Sequence, residues 1–282
     1  MSDSTIKYRA KEKLLRFLNW FILLVGAVVM IVPFYWMVTT SFKYPSEVIT
    51  YPPIWIPTRI TLANYQKIFY QMNFLRYFLN SAYISVTVTA IAIITSAYVG
   101  YVFAKFNFWG KNVIFLAILS TMMVPFPVTM IPMYLFMVRI GWVGSHKALI
   151  IPGLYSTFGI FMMRQFMHSI PNELREAAKI DGCGEFRIFW TIIMPLTKSG
   201  LAALTIFTFM WNWDNFLWPL IVLNTDNMFT LPVGLAMFAN QYWTDYALVL
   251  AGSTVTVAPV LLVFFLMQKR FIEGITLSGL KA

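Results

Sequence analysis

Six stretches of this 282-residue chain run for most of a bilayer's thickness with little or no charge. Residues 17–42, 77–104, 112–138, 148–163 and 246–268 hold no Asp, Glu, Lys or Arg, and 199–225 holds one, Asp214. A helix needs about 20 apolar residues to cross the hydrocarbon core. The fourth stretch reaches that length if it extends past Arg164 to His168, since a terminal arginine snorkels to the interface. Charged residues make up 11% of the chain and apolar ones 59%, against roughly 25% charged for a soluble domain. That excludes an ordinary soluble fold, and the high hydrophobicity excludes disorder. The expected fold is an all-α polytopic membrane protein with six transmembrane helices, over about 17–42, 77–104, 112–138, 148–168, 199–223 and 246–268. These form one transmembrane domain, 17–282, behind a short N-terminal segment, 1–16. Pro125, Pro127 and Pro132 mark the third span as kinked or broken.

Net charge is +10. The basic residues lie between apolar runs rather than as a stripe on a soluble domain, so a membrane and not nucleic acid is the expected partner. With the N-terminus inside, the inner segments carry 15 lysines and arginines in 72 positions and the outer ones six in 63. This bias places both termini in the cytoplasm. The cluster Lys7, Arg9, Lys11, Lys13, Arg16 precedes an apolar run of 26 residues, too long for a signal core and suited to an uncleaved anchor. The Pro-rich outer loop, with Pro45, Pro52, Pro53 and Pro57, reads as an ordered extended segment on the membrane surface. A lone cysteine, Cys183, forbids an internal disulfide and reads as a small filler. His146 and His168 lie far apart in sequence, without clustered ligands, so no metal site is expected, and His146 reads as solvated.

The inner segment 169–198 is too long for a connector. Pro171 and Glu173 suit the first turn of a helix, and Leu174, Ala177, Ala178 and Ile180 give it a mostly small apolar face. Asp181-Gly182 signals a turn in which Gly182 takes a left-handed backbone. A second helix, from about Glu185 to Ile193, ends before Pro195 and carries Phe186, Phe189, Trp190 and Ile193 at helical spacing. The residues alone fit either a docking loop or an amphipathic segment lying on the headgroups.

The spacing adds to this. Glu176-Ala177-Ala178, three residues, Gly182, nine residues, Ile192, one residue, Met194-Pro195 resembles the coupling motif of ATP-binding-cassette (ABC) importer permeases, with Met194 in place of leucine. The likeness extends to Trp213-Asp214-Asn215-Phe216-Leu217-Trp218-Pro219-Leu220, where relatives often have the acid and amide in the opposite order. It includes the tail with Gly252, Pro259 and 269–276. It is closest to the smaller maltose-type subunit of carbohydrate-uptake systems. The resemblance implies a cytoplasmic helix-turn-helix coupling loop that docks on an ATPase through Glu176, Ala177, Ala178, Asp181, Gly182, Phe186, Phe189, Ile192 and Pro195. Glu176 would meet a basic residue of the ATPase. It further implies an ABC ATPase dimer, a second permease subunit, an extracytoplasmic solute-binding protein, a carbohydrate substrate and a bacterial inner membrane. By the same resemblance, Asn240, Gln241, Tyr242 and Trp243 lie on an outer loop that would reach the binding protein.

No phosphate-binding Gly-x-x-x-x-Gly-Lys-Ser/Thr segment is present, so the chain is expected to be a transport subunit rather than an enzyme. ATP and magnesium are expected on the partner ATPase, with no cofactor in this chain. Asp214, roughly 22 Å into the fifth span, is flanked at i−3 and i+4 by Trp211 and Trp218. With Asn212 and Asn215 these fit a sugar path; they equally fit an aromatic belt, with Asp214 paired to a neighbouring subunit. An ATPase-independent secondary transporter or channel is the alternative. Such proteins usually show several intramembrane acids and inverted repeats, and neither is visible here.

Overall fold

A computed structural model describes residues 3–71, 73–239 and 245–279, with side chains over 12–70, 73–237 and 245–269. Among the described residues every regular element is helical. In chain order the principal ones are α1 (Asp3–Ser41), α2 (Ala63–Gln71), α3 (Phe74–Lys105), α4 (Lys111–Ser120), α5 (Phe126–Arg139), α6 (Thr157–His168), α7 (Glu173–Ile180), α8 (Glu185–Leu196), α9 (Lys198–Trp213), α10 (Leu217–Val222), α11 (Leu231–Ala239) and α12 (Tyr246–Gly279). Three of them, α1, α3 and α12, are long and apolar enough to cross a membrane alone.

The other apolar stretches are broken, and prolines account for most of the breaks. Between α4 and α5 the direction turns by 97°. Val124, preceding Pro125, is extended, as the proline ring requires of its neighbour. This is the break expected from the prolines of the third stretch. The fourth stretch is not one helix. It divides into single turns at Lys147–Ile150 and Pro152–Leu154, and then α6, which Ser156 caps by accepting a hydrogen bond from the Gly159 N–H at 3.0 Å. The fifth stretch ends its first helix at Trp213, because the ring of Pro219 blocks the carbonyl of residue 215 from continuing a helix.

Two compact units divide the chain, residues 1–71 with 238–255, and 72–237 with 256–282. In the first unit the Pro-rich loop that follows α1 is tied to the end of that helix. Asn64 donates its amide to the Ser41 and Lys43 carbonyls at 2.8 and 2.9 Å, and Ser41 Oγ lies 2.7 Å from the Tyr65 hydroxyl. Lys43 is fully buried, 3.8 Å over the Trp36 ring, and donates to Thr40 Oγ1. Burial pushes its ammonium below the ordinary lysine value, with Glu47 opposing. The loop is therefore ordered, as expected, but its last third is helical (α2) rather than extended. Lys67 pairs with Asp245 at 3.5 Å, and Asp245 caps α12 through the Leu248 N–H.

The second unit is built on α3. Membrane helices gain no hydrophobic drive from meeting one another, so close packing of small residues holds them. Ala92, Ser96 and Gly100, spaced by four along α3, are that small stripe. A Cβ on Gly100 would lie 2.8 Å from Met163 Cβ and 2.9 Å from the Arg164 backbone nitrogen, so the backbones of α3 and α6 nearly touch there. One core cluster joins Ala97 and Tyr101 of α3, Met163 and Met167 of α6, Ile188, Phe189 and Ile193 of α8 and Leu204 of α9.

Candidate functional site

The segment 171–197 forms a helix, a tight turn and a second helix. Pro171 lies just outside α7, one residue ahead of Asn172, rather than in its first turn. The turn closes α7 with a paired cap: the Gly182 N–H donates to the Lys179 carbonyl at 3.0 Å and the Cys183 N–H to the Ala178 carbonyl at 2.9 Å. Gly182 takes φ +80°, and a Cβ there would meet no atom within 4 Å. Backbone conformation, not space, therefore selects glycine at this position.

The second helix does not stop at Pro195. It passes from one α turn through a π turn at Phe189–Ile193 into Met194–Leu196. A bend of 80° then joins it to the helices over 198–222. Buried Thr197 holds the bend, its hydroxyl donating to the Ile193 and Met194 carbonyls at 3.1 Å.

Exposure divides the motif. Glu176, Ala177, Asp181, Gly182, Phe186 and Pro195 are exposed, as is Ile180, at 87%. Ala178, Phe189 and Ile193 are buried and Ile192 is half-buried. Glu173, Glu176, Ala177 and Ile180 thus share one open face of α7, while Ala178 anchors the opposite side in the core. Among the described residues no ion pair reaches Glu176. Phe189 packs against Tyr98 and Tyr101 at 5.4 Å, so it supports the loop from within.

Sequence reasoning missed the clasp that holds the two helices together. Arg175 donates two hydrogen bonds to the Glu185 carboxylate, one at 3.0 Å from Nε. Lys179 Nζ lies 2.6 Å from the same carboxylate, and the Tyr101 hydroxyl donates to it at 2.7 Å. The Arg175 guanidinium also stacks 4.5 Å over Phe106. Burial opposes ionisation of Glu185, but the hydrogen bonds from Arg175, Lys179 and Tyr101 outweigh it and hold the carboxyl at about 2. A depressed carboxyl stabilises the fold fully above its unfolded value near 4.5 and loses that contribution as pH falls toward 2. Limited proteolysis at 181–184 is therefore expected to stay slow from neutral pH to about pH 4. In Glu185→Gln it should be fast even at pH 7, because charged hydrogen bonds of this kind contribute about 1.5–3 kcal/mol each.

The other proposed path residues do not form one surface. Asp214, exposed, sits in the break after α9, and the helix needed to align Trp211 with Trp218 is absent. Trp211 is 78% exposed, whereas Trp218 is buried and donates its indole N–H to the Ala148 carbonyl at 3.0 Å. Asn212 donates to Thr208 of its own helix, and Asn215 is half-buried. Trp213 is buried as well, stacked on Phe209 and donating to the Thr256 carbonyl at 3.0 Å. Asn240, Gln241, Tyr242 and Trp243 lie outside the described residues.

The start of α3 fastens the segment 226–231. Tyr77 and Asn73 both donate to Asp226, and Asn80 donates to the Asn227 and Phe229 carbonyls at 2.9 Å. His146, half-buried, places Nε2 3.1 Å from the Met228 carbonyl, so it is engaged rather than simply solvated. Among the described residues no cluster of potential metal ligands exists.

The chain is 36% identical over 278 residues to the arabinooligosaccharides transport system permease protein AraQ of Halalkalibacterium halodurans, covering 96% of this chain and 99% of that protein. It is 35% identical to the lactose transport system permease protein LacG of Rhizobium radiobacter, covering 94% and 96%. Its fold matches that of a chain from a bacterial ABC transporter involved in the import of the acidic polysaccharide alginate. That match has a TM-score of 0.81 at 22% identity, over 96% of this chain and 99% of the other. The profile of binding-protein-dependent transport system inner membrane components matches residues 92–276, well over half of the sequence. The chain belongs to that family, the inner membrane components of binding-protein-dependent transport systems.

Proposed function

We propose that this chain is a permease subunit of a bacterial ABC importer for a sugar or oligosaccharide, working with an ATPase dimer, a second permease and an extracytoplasmic solute-binding protein. The relatives named for arabinooligosaccharide and lactose transport support the substrate class. In this reading residues 17–282 form one transmembrane domain of six spans with both termini in the cytoplasm. ATP and magnesium belong to the ATPase, and this chain supplies movement.

The observation that carries the reading is the loop 171–197: a capped helix whose open face bears Glu176, without an ion pair among the described residues, beside exposed Ile180, with exposed Phe186 on the helix that follows. A solvated loop has no reason to leave large apolar side chains open beside an unpaired charge. A cleft with a basic residue at one end accounts for all three. When ATP closes the ATPase dimer, the seated loop moves. Its clasp transmits that movement to Tyr101 of α3, and its bend at Thr197 transmits it to α9. Differential contact with the two ATPase states drives the switch.

The tagged chain, purified from its own host in mild detergent, is expected to carry an ATPase and a second permease in fixed ratio. Glu176→Arg, which places like charge against the basic residue, should strip the ATPase by tenfold or more and leave the permease pair intact. A chain that purifies alone at every salt concentration would reject the assignment.

A further inference from the structure

The seam between α4 and α6 has two hollows of opposite character. The helices are antiparallel: Thr121 Oγ1, just beyond α4, meets Thr157 Oγ1 at 3.1 Å, and the Arg164 guanidinium lies 4.1 Å over Phe115. At the end holding Lys111 and His168, a hollow of about 410 Å³ is lined by Asn107, Lys111, Asn112, Arg164 and His168. At the other end a hollow of about 470 Å³ is lined by Leu116, Leu119, Met122, Met123, Phe158 and Phe161. Val113 of the first hollow and Leu116 of the second, three residues apart on α4, are 73% and 68% exposed. The ten residues of α4 span about 15 Å.

The polar end gathers positive charge without an answer. Lys111 Nζ donates to the Phe106 carbonyl at 2.7 Å and Arg164 Nε to the Phe103 carbonyl at 3.4 Å. Among the described residues no carboxylate lies within ion-pair distance of Lys111, Arg164 or His168, and no hydrogen bond reaches the terminal nitrogens of Arg164. Trp109, 98% exposed, stands beside the hollow as an interfacial aromatic would.

We propose that this seam binds one anionic phospholipid, with its phosphate against Lys111, Arg164 and His168 and an acyl chain along Leu116, Leu119 and Phe161. Charge complementarity selects the headgroup, and the apolar hollow at about one helix length selects a lipid over a free anion. Basic pockets between membrane helices on the cytoplasmic side suit such headgroups. The proposal rests on the membrane-subunit reading, which sets this end of the seam at the inner leaflet.

The test uses the intact purified complex, exchanged into nanodiscs of equal phosphatidylglycerol and phosphatidylcholine and then re-extracted. Retained lipid is counted by mass spectrometry. Phosphatidylglycerol should be retained over phosphatidylcholine. Lys111→Gln and Arg164→Gln should each lower that ratio by about fivefold, while Leu116→Trp fills the groove and lowers retention with Lys111, Arg164 and His168 all in place. Equal retention of both lipids in the wild type overturns the proposal, even if a variant fails to assemble. So does displacement of the lipid by glycerol phosphate at the concentration that displaces it from Leu116→Trp, which would mark a free-anion site. Sugar uptake in the same nanodisc-competent complex separates the outcomes: a complex that transports yet shows no lipid preference loses this site alone.

Discussion

Gly182→Val is expected to reduce uptake by tenfold or more while the chain still inserts and pairs with its permease partner. Gly182 holds φ +80° in the cap that ends α7. A residue with a Cβ pays about 1–2 kcal/mol in the left-handed region, and a β-branched one more. The hydrogen bonds from Gly182 and Cys183 to the Lys179 and Ala178 carbonyls would be lost or displaced with it. The substitution meets no steric neighbour, so the rest of the fold has no cause to change. The direction of the chain leaving α7 does change, and with it the position of Phe186 relative to Glu176. Transport and ATP hydrolysis measured together in proteoliposomes check this. The expected result is hydrolysis retained or raised with uptake lost, and normal uptake would count against the loop's role.

Gly100→Leu should act on the whole unit rather than on the loop. Its Cβ alone would approach Met163 Cβ and the Arg164 backbone to under 3 Å. Neither is the free end of a flexible side chain, so α3 and α6 must separate. Overpacking a tight contact costs about 1–3 kcal/mol and often more where backbone is involved, against a total of about 5–15 kcal/mol. With a melting shift of about 2–4 °C per kcal/mol for a unit of this size, a fall of about 2–12 °C is expected in detergent. Leu204→Ala, which opens a cavity in the cluster that holds Met163, should give a comparable fall, about 2–5 kcal/mol, without loss of assembly.

Legibility in the sequence follows physical reach. Residues 17–42, 77–104 and 246–268 were readable as helices because their apolar run is long and unbroken. The kink at Pro125 was readable because proline acts on its neighbours. The fourth and fifth stretches were less so. Composition registers hydropathy, which is continuous across 148–168 and 199–223, whereas Pro152, Ser156 and Pro219 divide the backbone without altering it. Aligning Trp211 with Trp218 assumed a helix that the Pro219 ring forbids at residue 215.

In the segment 171–197, Asp181-Gly182 marked its own turn. The clasp left no trace, since Arg175 and Glu185 lie on different helices and Tyr101 is 84 residues away from Glu185. The π turn, too, is invisible to a 3.6-residue period. Phe189 and Ile193 face the core while Phe186 stays open, so the spacing that grouped those aromatics together hides a division between support and surface.

The most direct test of the central claim is contact between this loop and the ATPase. Cys183 is the sole cysteine, so Cys183→Ala gives a thiol-free background into which Ile180→Cys places one thiol at an exposed position of α7. In the purified complex a short maleimide–benzophenone reagent, attached to that thiol and then photoactivated to insert into a nearby C–H bond, is expected to join it to the ATPase, in a yield that changes when ATP is bound. An Ile180→Cys chain that remains in the transporting complex and forms no adduct with the ATPase, with or without nucleotide, would contradict the account.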